Sequence, residues 1–270
     1  MSGTLYALIT SHCNLSCPYC DVKNCKEEFN RDLFIDQLNK FDGRIILFGG
    51  EPTMYMDRLL DIYINNPALT RKISSISTNL ISLNPKLLSI LQFIRYIATS
   101  WNPDRFNGNE YQQWLDNIKL IQEEIPTVEI RVLVTMTDEL LKLSAEEFNG
   151  VIAEWNCPVI KDIKFEHCIG INSNKEYMNK CDEWLCNVYK TWESPITMVN
   201  IKEMKNWYHD CRDVYSLHPD GSITKGCPHA ADIVVPEECY TCERNDVCKP
   251  CQLQKYCSYP FKFAELVKEK

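Results

Sequence analysis

SHCNLSCPYCDV, residues 11–22, places three cysteines in one short stretch, Cys13, Cys17 and Cys20, with the spacing C-x3-C-x2-C. Thiolates at such intervals can wrap one small inorganic site from a single loop. Cysteine thiolates are the usual ligands of iron–sulfur clusters. A cubane [4Fe–4S] cluster held by only three of them keeps one iron without a protein ligand, where a small molecule can chelate. The absent fourth cysteine is then the functional feature. Spacing alone leaves zinc open, because a closed structural zinc site needs only one more ligand and His12 or Cys25 stands nearby.

The composition agrees with metal or redox chemistry. Fifteen cysteines occur in 270 residues, four of them between 13 and 25 and seven between 211 and 257. Burial of cysteine as a small hydrophobe explains a few of these but not the clustering. A disulfide framework belongs to exported, usually smaller chains, and the count is odd. The N-terminus, MSGTLYALITSHCN, lacks a basic region and an apolar core of the signal-peptide type, so a cytoplasmic protein is expected. No apolar run reaches the roughly 20 residues of a membrane span. At a net charge of −8 and an apolar content of 45%, the chain reads as globular, with no footprint for nucleic acid.

Outward from the cysteine loop, apolar runs alternate with amphipathic segments. Strands are predicted at 5–10, 44–49, 72–78, 95–100, 128–136 and 159–167. Helices are predicted at 30–40, with Asn30 as cap and Leu33, Ile35 and Leu38 apolar, then at 55–65, 84–93, 107–124, 139–155 and 175–193. Six such units imply a parallel sheet with right-handed crossovers, short of the eight of a closed barrel. The expected fold is α/β, a partial (β/α)6 barrel with a small cysteine-rich C-terminal cluster-binding domain. Its parts are a barrel over 1–170, a helical linker over 171–198 and the auxiliary domain over 199–270. In such sheets the site lies at the C-terminal ends of the strands, where the cysteine loop falls.

CNLSCPYC after the first strand, with ILFGGEP closing the second, resembles the radical S-adenosylmethionine (SAM) superfamily. The marks are C-x3-C-x2-C with an aromatic, Tyr19, before the last cysteine, and the Gly49-Gly50-Glu51-Pro52 loop. The resemblance covers roughly 1–170. It implies that Cys13, Cys17 and Cys20 hold a [4Fe–4S] cluster whose open iron chelates SAM, and that one electron splits the sulfonium to release a 5′-deoxyadenosyl radical. Glycines let backbone approach a ligand closely, and Glu51 offers an acceptor for the SAM ammonium. SISTNL and ATSWNP resemble the family's third and fourth strands, which adds Thr78, Ser100 and Asn102 to the SAM-binding set. Asn102 stands where relatives carry Asp. Arg131 on the fifth strand is placed to hold the SAM carboxylate, with a planar fork suited to it.

The tail resembles the SPASM extension of the same enzymes, with single-residue departures in spacing. That resemblance implies two auxiliary [4Fe–4S] clusters, one on Cys239, Cys242, Cys248 and Cys257 and one on Cys211, Cys227 and Cys251. Cys181 or Cys186 could complete the latter. Two zinc sites are the alternative that C-x2-C spacing allows.

The expected reaction is hydrogen-atom abstraction from a side chain of a peptide or protein, leading to a cross-link, thioether or oxidation. A small-molecule dehydrogenase or rearranging enzyme is the alternative, and a non-catalytic cluster or zinc protein the reading from another class. Only twelve residues precede Cys13, so a peptide substrate is expected to be recognised by the tail or by a separate protein. A flavodoxin or ferredoxin is the implied reductant.

Overall fold

The computed structural model describes residues 3–20, 28–167, 175–199 and 214–225. Six βα units build it: β1 (Thr4–Leu8) and α1 (Arg31–Lys40), β2 (Arg44–Phe48) and α2 (Met56–Leu60), extended through a π turn to α3 (Pro67–Thr70). Then follow β3 (Ile73–Ser77) and α4 (Pro85–Leu91), β4 (Tyr96–Ser100) and α5 (Glu110–Glu124), β5 (Glu129–Met136) and α6 (Ala145–Glu154), and β6 (Ile160–His167) and α7 (Lys175–Lys190). β1 to β6 pair in sequential order and in parallel, as the alternation predicts.

The sheet runs further than the sequence suggested. β7 (Thr197–Met198) adds to β6, and the hairpin β8 (Val214–Leu217) and β9 (Ile223–Lys225) adds to β1. Among the described residues it is therefore nine-stranded, mostly parallel and open, with β7 and β9 at its edges. The class is α/β, as expected.

Local chemistry accounts for the helix starts. The Asn30 side chain caps α1 by accepting from Leu33 N at 3.2 Å, and Asn84 caps α4 ahead of Pro85. Ser144 and Glu147 form a reciprocal capping box on α6. The inward face of α1 keeps the expected Ile35 and Leu38 but not Leu33. In α1 the inward residues are Phe34, Ile35 and Leu38, while Leu33 is 49% exposed, because the apolar stripe continues at helical spacing into the fully buried Phe41.

β5 shows how the sheet divides. Ile130, Val132, Val134 and Met136 are buried in the core, and Glu129, Arg131, Leu133 and Thr135 face the opposite, half-exposed side. The helix-side core is rich in aromatics: Trp101, Trp114, Phe148, Trp155, Phe165 and Trp184 meet mainly edge to face.

The β8–β9 turn docks on the start of α1. Pro219 O accepts from Asn30 N at 2.9 Å. Gly221, at φ +87°, lies so close that a Cβ there would stand 2.5 Å from Leu33 Cβ. No helix among the described residues is long and apolar enough to cross a membrane. The tail cysteines Cys211, Cys227, Cys239, Cys242, Cys248, Cys251 and Cys257 lie outside the described residues, as do Cys25 and Cys168.

Candidate functional site

The cysteine loop leaves β1 at the C-terminal rim of the sheet. Past the last paired residues, the β1–β2 ladder continues through backbone alone: Ile9 N donates to Phe48 O at 2.8 Å, Gly50 N to Thr10 O at 2.7 Å and Glu51 N to His12 O at 2.7 Å. The segment entering Cys13 is thus clamped to Gly49-Gly50-Glu51. Side chains have no room between them. A Cβ on Gly49 would lie 2.3 Å from Thr10 O, and one on Gly50 only 2.1 Å from His12 O. The glycines serve close approach of backbone to backbone, which joins the two motifs into one structure.

Cys13, Cys17, Tyr19 and Cys20 are half-buried beyond the clamp. Leu15 N donates toward Cys13 Sγ at 3.4 Å, and Cys20 N donates to Cys17 O at 3.2 Å. Burial pushes the Cys13 thiol above its ordinary range, and the Glu51 carboxylate adds to that. A metal centre there must displace a proton as it binds. Burial likewise raises Tyr19 well above the ordinary phenol range.

Glu51 faces inward, 1% exposed. Its Oε1 accepts from Thr53 N at 3.0 Å, Thr53 Oγ1 at 2.6 Å and Thr78 Oγ1 at 2.8 Å, and its Oε2 from Asn79 N at 2.6 Å. The carboxylate expected to meet an ammonium group is engaged inside the protein, tying the end of β2 to the end of β3, and Thr78 is engaged with it. Pro52 opens the following 3₁₀ turn, Pro52–Tyr55, and is buried. Asn79 continues to the cysteine loop, where its Nδ2 donates to Asn14 Oδ1 at 2.6 Å. Leu80 next to it takes φ +56°, a strained value for leucine, with its carbonyl held by Asn117 Nδ2 at 2.7 Å.

Two further expected residues come from β4 and its exit. Ser100 is half-buried on the open face, in register with Leu133. Asn102 is 1% exposed, and both ends of its amide are engaged with one backbone unit: Nδ2 donates to Thr135 O at 2.5 Å, and Oδ1 accepts from Thr135 N at 3.0 Å. Its role here is to fasten the β4 exit to β5.

Arg131 shares the open face with Ala98 and Asp162, its register partners, and lies two residues below Leu133. Its Nη2 pairs with Asp162 Oδ2 at 2.8 Å, while Nε is shielded from solvent without a partner among the described residues.

Arg105 was not anticipated. Its Nη1 lies 3.6 Å from Cys17 Sγ and 3.5 Å from Tyr19 Oη. Nothing local in DRFNG marks it, since the contact spans 88 positions in sequence. Trp101 and Tyr111 belong to the aromatic packing: Trp101 is buried against Trp155, and Tyr111 donates to Glu154 Oε2 at 2.8 Å. Cys181 and Cys186 are buried in the core on α7.

These residues suit a thiolate-bound [4Fe–4S] cluster, while Cys25, one of the two candidate fourth ligands of a zinc site, lies outside the described residues. Among the described residues no three His, Cys, Asp or Glu side chains converge where one metal ion could sit, as tetrahedral zinc requires. A cubane asks each thiolate to reach a different iron. The soft donor set, the half-exposed thiols and the guanidinium beside them suit an anionic cluster.

No family model matches the chain, and no curated protein matches it. Among solved structures, the chain is similar to Streptococcus suis SuiB, with a TM-score of 0.62 at 16% identity over 99% of this chain and 74% of that one. It is similar also to Streptococcus suis SuiB bound to S-adenosylmethionine, with a TM-score of 0.58 at 15% identity over 99% of this chain and 72% of that one. At such identity the likeness is one of fold: this chain folds as SuiB does.

Proposed function

We propose that the chain is a radical SAM enzyme acting on a side chain of a peptide or protein. The observation that carries the reading is the backbone clamp between Thr10–His12 and Gly50–Glu51, which holds three half-exposed thiols at the C-terminal rim of a parallel sheet. A fold similar to a structure of SuiB bound to S-adenosylmethionine supports it.

Cys13, Cys17 and Cys20 would hold a [4Fe–4S] cluster. When bound and reduced, that cluster with SAM supplies a 5′-deoxyadenosyl radical that takes a hydrogen atom from the substrate, the electron coming from a flavodoxin or ferredoxin. The chain's own residues bind and shield. Gly49 and Gly50 hold the cysteine loop against the end of β2, and Ser100 and Arg131 stand on the open face, where Arg131 would bind the SAM carboxylate. Glu51, Thr78 and Asn102 act one step back by fixing the rim. The tail cysteines would hold two auxiliary [4Fe–4S] clusters, and a separate protein would present the peptide. Conversion of a small molecule is the second reading.

The test is anaerobic reconstitution, iron and sulfide counts, and SAM with dithionite. Release of 5′-deoxyadenosine is expected, abolished by C13A, C17A or C20A and partly kept by C239A or C248A. Full substrate turnover by C17A would end the reading.

A further inference from the structure

Arg105 closes the turn that leaves β4. Asn102 locks the start of that turn to Thr135, and Arg105 N donates to Asn102 O at 3.2 Å. The side chain then reaches back across the rim to Cys17 and Tyr19. Its Nε is shielded from solvent without a partner among the described residues. Among the described residues it forms no ion pair with Asp104, its neighbour in sequence, whose carboxyl is hydrogen-bonded to Thr137.

A guanidinium does not lose its proton in a protein, so this positive charge is permanent. A buried charge lacking a counter-ion is strongly unfavourable. The groups it approaches are both in the cysteine loop, the Tyr19 hydroxyl at 3.5 Å and the Cys17 thiol at 3.6 Å. An anionic thiolate-bound centre there would supply the missing negative charge, and cluster potentials respond to net charge and to hydrogen bonds on the sulfurs.

We propose that Arg105 is a positioning residue whose fixed charge offsets the anionic centre on Cys13, Cys17 and Cys20 and raises its reduction potential. This rests on the cluster reading above. The donor at 3.6 Å from Cys17 Sγ favours the reduced, more negative state over the oxidised one. One electron enters from the external reductant; no bond is made or broken by Arg105.

The experiment compares wild type, R105K and R105Q, full-length and anaerobically reconstituted. Iron and sulfide are counted, and the reduced signal that shifts on adding SAM is titrated against potential by electron paramagnetic resonance. In R105Q, the reduced-to-oxidised ratio at a fixed potential is expected to fall about tenfold, which for one electron is about 59 mV. R105K should stay close to wild type. Loss of the cluster in R105Q with retention in R105K would equally support a requirement for charge. An R105Q titration superimposable on wild type would overturn the inference and leave the cluster reading standing. Loss of the cluster in both variants would also overturn it, since shape rather than charge would then be needed. A wild-type loop that takes up no iron would defeat the cluster reading and this inference with it.

Discussion

Replacing Glu51 by glutamine tests whether the carboxylate of the Gly-Gly-Glu-Pro loop is an internal fastener. Its oxygens receive only donors: Thr53 N, Thr53 Oγ1 and Thr78 Oγ1 on Oε1, and Asn79 N on Oε2. Glutamine must place an NH2 at one end. At the Oε1 end it would face three donors, so the smaller loss is at Oε2, against Asn79 N. There one charge-assisted bond of about 1.5–3 kcal/mol disappears, and buried N–H groups left without acceptors cost about 1–3 kcal/mol more. A destabilisation of about 2.5–6 kcal/mol is expected. Over 270 residues the unfolding entropy is about 0.6 kcal/mol/K, so the midpoint should fall by about 4–10 °C. The assay is anaerobic thermal unfolding of the apo chain by circular dichroism, E51Q against wild type. An unchanged midpoint, with affinity for SAM lost in the reconstituted protein, would refute the reasoning and return Glu51 to the ligand.

Three more substitutions probe the same rim and the core. G50A would drive a methyl group into the His12 and Ser11 carbonyls; a destabilisation of about 1–3 kcal/mol and sharply reduced iron loading are expected, read by melting and iron assay. N102D, which restores the acidic residue of the resembled family, removes the donor to Thr135 O and sets a carboxylate against a carbonyl. It should destabilise by at least about 1–3 kcal/mol at neutral pH, and the difference from wild type should shrink below about pH 4, where a protonated carboxyl can donate. Tyr63 Oη is buried without a partner among the described residues, so Y63F should stabilise by about 1 kcal/mol. Burial holds the Tyr63 phenol above its ordinary 10.0. The unfolded chain therefore releases that proton first, and wild type loses stability as pH rises past that value. The Y63F advantage should widen there in melts taken across the alkaline range.

Much of the architecture was legible because it is local. Apolar alternation located β1 to β6, and Asn30 announced the start of α1. The spacing of Cys13, Cys17 and Cys20 and the Gly49-Gly50 pair marked the two loops that meet. Less was legible where partners lie far apart along the chain. Phe34 rather than Leu33 faces the core because the stripe is completed by Phe41 after the helix. β8 was invisible as a barrel strand, since a four-residue segment is defined by its pairing with β1 and not by its own pattern. The residue types of the site, thiols, glycines, a carboxylate and a guanidinium, were determined by the sequence alone. Which of them turn inward was decided by tertiary structure. Glu51 meets Thr78 and Asn79, Asn102 meets Thr135, and Arg105 meets Cys17 only because the parallel strands, even β1 and β4 that do not adjoin, end at one rim and bring their loops together. A hydrogen bond depends on distance and direction between two groups, and the order of residues states neither until the chain has folded.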